Sequence, residues 1–201
     1  KLRKTKPRGS SHIRGTNLHV ETTKEYGDTR FTSIARLIER SKLKSYVKEM
    51  SLMTMERLAK AEARVHGISL DKVHFHEVGM TDSIVDCVGA AIGFAYFGFE
   101  SISASPLPIT RGRVKCAHGL LPVPAPATLE LLKGLPVEPA HIREEIVTPT
   151  GAAILTTAAS HFGSCPLQKI EKIGYGFGDK IIPDMPNALR VMIGEGFPIV
   201  M

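Results

Sequence analysis

The chain has 201 residues, 43% hydrophobic and 23% charged, enough to bury a sizeable core and too apolar for a largely disordered protein. Lys and Arg number 26 against 20 Asp and Glu. Lys1, Arg3, Lys4, Lys6, Arg8 and Arg14 all precede the first acid, Glu21, which leaves 20 basic against 20 acidic residues. The basic excess is therefore local, and bulk charge gives no reason to expect a nucleic-acid partner.

Residues 1–16 read as a basic tail or the remnant of a truncated N-terminal element, and the first residue, Lys1, is not Met, which points to a piece of something longer or a processed terminus. Residues 17–21 alternate weakly, as a short strand does. Helices are predicted over 32–40 and 44–66. In the second, Val47, Met50, Leu58, Ala61 and Val65 fall on a helical grid and Gly67 is placed to end it. The Met50, Met53 and Met55 cluster reads as core filler.

After VHFHEVG a helix is predicted from about Ser83 to Phe97, apolar nearly all round and so expected to be buried. Its apolar run is also too short to cross a bilayer, which takes ~20 residues. Strands follow at 101–104 and 107–115, then a helix at 127–133 closed by Gly134, and a strand around 145–147. Thr148 caps a last helix with Pro149 at its first position, reaching about 161. Beyond it come a strand at 167–173, a glycine-rich loop and a strand at 188–193. Alternating helices and paired short strands predict an α/β fold, a mixed sheet covered by helices, with an α+β arrangement of helix–strand–strand units as the alternative. Three cysteines (Cys87, Cys116, Cys165) without a CxxC pair suit reduced thiols, and no signal peptide is readable, so the expected location is cytoplasmic.

Chemistry concentrates between His66 and Glu145. In an extended His74-Phe75-His76-Glu77 segment, His74 and His76 project from one face as a chelating pair for Ni, Zn, Cu or Fe. Cys116 and His118 repeat the spacing, and a thiolate beside an imidazole suits a borderline-soft divalent ion. Asp82 and Asp86, four apart, share one side of a helix start. Ser83 with Asp86 fits a capping box, so one carboxylate has a structural explanation and the other asks for a cation or basic partner. Asp82, Glu77 and Lys172 are the candidate catalytic groups. Thr148, Thr150 and Gly151 open a helix whose N–H groups attract anions, and Gly174 and Gly176 offer close backbone approach to a ligand. No nucleotide class follows from these glycines, and no Ser-His-Asp set or GxSxG elbow is present.

The runs VHFHEVGMTDSIVDCVGAAIGFAYFGFE, SPLPITRGRVKCAHGLLPVPAPATLELLKGLPV, EEIVTPTGAAIL and EKIGYGFG resemble the LarC family of nickel insertion proteins, in order and from about Ile13 to Gly194. The resemblance implies a nickel chelatase, of the lyase class. It would insert Ni²⁺ into a pyridinium bis-thiocarboxylic acid mononucleotide to make a nickel-pincer cofactor, with CTP hydrolysis and Mn or Mg. On that likeness residues 17–201 are the central α/β domain, lacking the family's N-terminal glycine-rich segment and its C-terminal CTP-binding domain. The expected partners are the mononucleotide precursor, that C-terminal domain and a homo-oligomer, and the chain alone is expected to be catalytically incomplete. Members also place histidines just before the helix at Ile34, where this chain reads Glu25 to Phe31 without one. Two other readings use the same residues: a non-catalytic nickel or zinc carrier, and a hydrolase with His74, His76 and Asp82 around Mn²⁺ or Zn²⁺.

Overall fold

The computed structural model describes residues 2–5, 13–21, 28–75, 80–116, 119–183 and 185–196. In chain order its elements are β1 (Leu2–Thr5), β2 (Gly15–Leu18), α1 (Phe31–Arg40), α2 (Ser45–His66), a 3-10 turn (Leu70–Lys72), α3 (Met80–Phe97), β3 (Ser103–Ala104), β4 (Leu107–Ile109), β5 (Arg113–Cys116), β6 (Gly119–Pro122), α4 (Pro126–Leu132), β7 (Val137–Pro139), α5 (Pro149–Ala158), β8 (His161–Phe162), β9 (Leu167–Phe177) and β10 (Ala188–Gly196). The fold is α/β, with strands divided among small sheets. These are a four-stranded sheet ordered β1-β2-β9-β10 and the pairs β3–β8, β4–β7 and β5–β6. No helix among the described residues is long and apolar enough to cross a membrane.

The chain divides into two compact units, Lys24–Ser164 and Lys1–Thr23 with Cys165–Met201. In the first, α2 packs against α1, α3, α4, α5 and the 3-10 turn. A helix enclosed on so many sides must bury polar side chains as well as apolar ones. Val47, Met55, Leu58, Ala59 and Ala61 are buried, and so are Ser51, Thr54 and Glu62. The hydroxyls of Ser51 and Thr54 donate to the carbonyls of Val47 (2.6 Å) and Met50 (2.8 Å) one turn back, so neither polar group is stranded. Glu62 sits 3.4 Å from His66. Val65, predicted on the buried grid, is exposed, and of the three methionines only Met55 is in the core. Gly67 ends α2 in the left-handed conformation (φ 63) with its N–H on the carbonyls of Ala63 and Arg64, a conformation glycine adopts without a Cβ penalty.

Other expectations shift. Helix α3 begins at Met80 rather than Ser83, and it is not buried all round. Cys87 and Ala91 are in the core, but Ile92, Tyr96 and Phe97 are exposed, because α2 and α5 pack closely on one side of α3. The single strand predicted at 107–115 breaks into β4 and β5 at Gly112, whose φ is 122 and where a Cβ would lie 2.3 Å from the Arg143 carbonyl oxygen. The strand predicted at 145–147 is not formed. Val137–Pro139 is a strand instead, pairing in parallel with Leu107–Ile109; its flanking prolines hide the alternation that marks strands.

The smaller unit is built on the antiparallel ribbon β9–β10, with β2 joined in parallel at Thr16↔Gly176 and β1 antiparallel to β2. The run Gly174 to Gly176, predicted as a loop, lies inside β9, where Gly174 pairs with Val191 and Gly176 with Leu189. Asn17 ties β2 to the end of β9 by donating to the Phe177 carbonyl (2.9 Å) and to Asp179 (3.0 Å). A Cβ at Gly15 would lie 2.3 Å from the Phe177 ring, so that approach requires glycine.

The enclosure of α2 gives a test. Leu58, fully buried, replaced by Ala should cost roughly 2–5 kcal/mol in urea unfolding, whereas Val65→Ala on the same helix should cost less than about 1 kcal/mol.

Candidate metal centre

Leaving α2 at Gly67, the chain makes the 3-10 turn and then runs extended through Val73, His74 and Phe75. Val73 (1% exposed) and Phe75 (4%) enter the core, so the intervening His74 is turned outward. His74 forms an isolated antiparallel bridge with Arg30. The flanking hydrogen bonds run from Phe31 N–H to the Val73 carbonyl (3.2 Å) and from Phe75 N–H to the Thr29 carbonyl (3.1 Å). That pattern makes Arg30 and His74 a non-hydrogen-bonded pair, whose Cα atoms lie typically ~4.5 Å apart with side chains on one face. The Thr29 hydroxyl lies 3.5 Å from His74 Nδ1.

Asp28, Thr29 and Arg30, which carry no ligand signature in the sequence, are thus the neighbours of His74. Asp28 grips Arg30 through Nε (2.9 Å) and Nη2 (2.6 Å) and accepts from the Ser33 hydroxyl (2.6 Å). These bonds hold the Asp28 carboxyl well below the usual carboxylate range, Arg30 being the largest cause. The only sequence hint was an i, i+2 opposite-charge pair ahead of a helix.

Of the four predicted metal ligands, His74 alone has a described side chain. His76, with Glu77, lies outside the described residues, as does His118. Cys116 ends β5, paired with Gly119 at the start of β6, and its side chain is outside the described set. Among the described residues no three His, Cys, Asp or Glu side chains group to hold a metal ion. Cys87 is no ligand candidate: burial, with Asp86 beside it, pushes its thiol up to about 12.

Two other predicted pieces converge. Ser83, placed by sequence as a cap for α3, is instead in the helix, and its buried Oγ lies 3.4 Å from Thr150 Oγ1. The first turns of α3 and α5 therefore meet, 67 residues apart in the chain. Thr148 caps α5 as predicted, its Oγ1 accepting from Gly151 N–H at 3.2 Å with Pro149 next. Of the unbonded N–H groups at this helix start, Pro149 has none and Gly151 is taken by the cap, so Thr148 and Thr150 are what remain for an anion. On α3, Asp82 and Asp86 are exposed one turn apart. Desolvation, and then the charge of Asp82, raise the Asp86 carboxyl above its ordinary value. In the smaller unit, Lys172 is an exposed residue of β9, and a Cβ on Gly174 or Gly176 would meet nothing within 4 Å.

The family model described as nickel insertion protein matches residues 3–198. The chain belongs to the nickel insertion protein family. Two relatives from Desulfitobacterium hafniense, strains DSM 10664 / DCB-2 and Y51, are each 49% identical over 183 residues, covering 91% of this chain and 45% of their own. Both are named pyridinium-3,5-bisthiocarboxylic acid mononucleotide nickel insertion protein. A relative from Citrifermentans bemidjiense is 50% identical over 184 residues, covering 91% of this chain and 48% of its own. The chain spans about half the length of these relatives. No solved structure matches it.

Within this nickel insertion family member the carboxylate pair on α3 carries a pH signature. The charged form of Asp86 is less favourable folded than unfolded, since its folded pKa is raised from 3.8. Its contribution therefore favours folding below that value and is lost as pH rises through the raised one. Asp86→Asn should add roughly 0.2–0.5 kcal/mol at pH 7, the size of a relieved i, i+4 like-charge pair, and nothing at pH 3, as read by thermal unfolding at both.

Proposed function

We propose that this chain is the metal- and precursor-handling part of a cytoplasmic nickel chelatase, a lyase that inserts Ni²⁺ into a pyridinium bis-thiocarboxylic acid mononucleotide. The observation that carries the reading is the family match across residues 3–198, joined to relatives whose names state that insertion. Nickel is here a substrate. His74, His76, Cys116 and His118 hold it as borderline imidazole and thiolate donors, tight enough to select the ion and exchangeable enough to yield it to sulfur donors of the precursor.

Metallation releases protons from the ligand, and Glu77 and Asp82 are the bases assigned to receive them. Thr148 and Thr150 receive an anionic group of the precursor at the α5 start, and Gly151, bonded to the Thr148 cap, shapes that turn. Lys172, Gly174 and Gly176 are assigned a second anion contact. CTP hydrolysis with Mn²⁺ or Mg²⁺ falls to the part of the longer relatives outside this chain, because a triphosphate needs several cations brought together and no such loop is readable here. A homo-oligomer is the assembly proposed.

Titration of the chain with Ni²⁺ should show His74→Ala and His76→Ala each weakening binding at least tenfold, about 1.4 kcal/mol; unchanged affinity in both variants overturns the assignment. Pyrophosphate release from CTP, with Mn²⁺, nickel and the precursor, should be weak or absent for residues 1–201 alone. Full turnover by them would place the nucleotide site in this chain.

A further inference from the structure

Arg30 is held in an unusual posture for an exposed arginine. Its Nε–H and one Nη2–H face Asp28, and Asp28 is itself anchored by the Ser33 hydroxyl and the Arg30 backbone N–H (3.1 Å). The guanidinium plane is therefore fixed from one side. Its end-on edge, one N–H each from Nη1 and Nη2, has no acceptor among the described residues. That edge is a two-pronged donor matched to the paired oxygens of a carboxylate or phosphate. The bridge that pairs Arg30 with His74 puts this edge on the same outward face as the imidazole. Asp28 also neutralises Arg30, so the guanidinium does not set a net positive charge beside a histidine assigned to a divalent cation.

We propose that Arg30, oriented by Asp28, is the oxyanion-binding residue of the site and grips an anionic group of the mononucleotide beside His74. This rests on the precursor-insertion reading above and deepens it, by naming a contact to the substrate. The shared chemistry is an anionic face of two acceptor atoms. Two parts of the substrate present one: a thiocarboxylate on the pyridinium ring, through one oxygen and one sulfur, and the phosphate of the mononucleotide, through two oxygens. Lysine in place of Arg30 keeps the charge but loses the fork.

Calorimetric titration of the full chain with pyridine-3,5-dicarboxylic acid mononucleotide, an oxygen analogue that cannot form the thiolate complex, tests the contact. Arg30→Gln should weaken binding at least tenfold, with Arg30→Lys recovering only part. Parallel titrations with pyridine-3,5-dicarboxylate and with ribose 5-phosphate identify which anion depends on Arg30. Ni²⁺ affinity should be unchanged or increased in Arg30→Gln, which separates this contact from the metal assignment. Loss of the metal reading (no effect of His74→Ala on Ni²⁺) leaves the Arg30 measurement standing on its own. If Arg30→Gln and Arg30→Lys lower the melting temperature but bind the mononucleotide as the unmodified chain does, Arg30 only braces the start of α1 and the proposal is overturned. It is equally overturned if the unmodified chain does not bind the mononucleotide.

Discussion

The enclosure of α2 is the constraint on which the larger unit depends. A helix with four helices around it keeps one exposed stripe, here Tyr46, Glu49, Met53, Arg57, Lys60 and Arg64. Polar residues off that stripe must either satisfy themselves on their own backbone, as Ser51 and Thr54 do, or pair locally, as Glu62 does with His66. Because the middle of the helix is locked in this way, its C-terminal end has a defined exit. Gly67 turns the chain, and Val73 and Phe75 reach back into the same core as Leu58 and Met55. The outward aim of His74 is a by-product of those two apolar neighbours being inside.

That dependence explains what could be read from the sequence and what could not. The helices carried period 3.6 and explicit punctuation, namely Gly67 after α2 and Thr148-Pro149 before α5, so they were legible to within a few residues. The Val73-His74-Phe75 alternation was legible for the same reason, since one apolar residue on each side of a histidine is a strand pattern in miniature. Short strands were not. Val137–Pro139 is bounded by prolines and stabilised by a partner 30 residues upstream, information that no local window contains. The glycines of β9 misled in the other direction, because glycine is as common in loops as it is harmless in a strand whose neighbours leave room for a side chain.

The contacts that assemble the site are of the same long-range kind. Ser83 had a sufficient local explanation as a cap, yet its hydroxyl is spent on Thr150. The helix simply begins earlier, at Met80, and no property of residues 83–86 announces that. The consequence is chemical. Joining the first turns of α3 and α5 brings the positive ends of two helix dipoles together, next to a pair of exposed carboxylates on α3. What the contact shows is that the start of α3, which carries Asp82, and the start of α5 are packed together.

The same duality recurs at the other strand of the site. The stretch from Glu25 to Phe31 has no histidine, and its described end places Arg30, held by the Asp28 carboxylate, across from His74. A bare arginine there would repel a divalent ion at a few ångströms, by an amount that grows as water is excluded. Asp28 removes that repulsion without removing the guanidinium's remaining donors, because the two groups share only one edge of the fork. The carboxylate cannot easily be protonated away, since four donors, three from Arg30 and one from Ser33, hold it in its charged form. The pair therefore stays neutral as a whole and directional in detail. The backbone bridge between residues 30 and 74 is what sets this neutral, directional pair beside the imidazole.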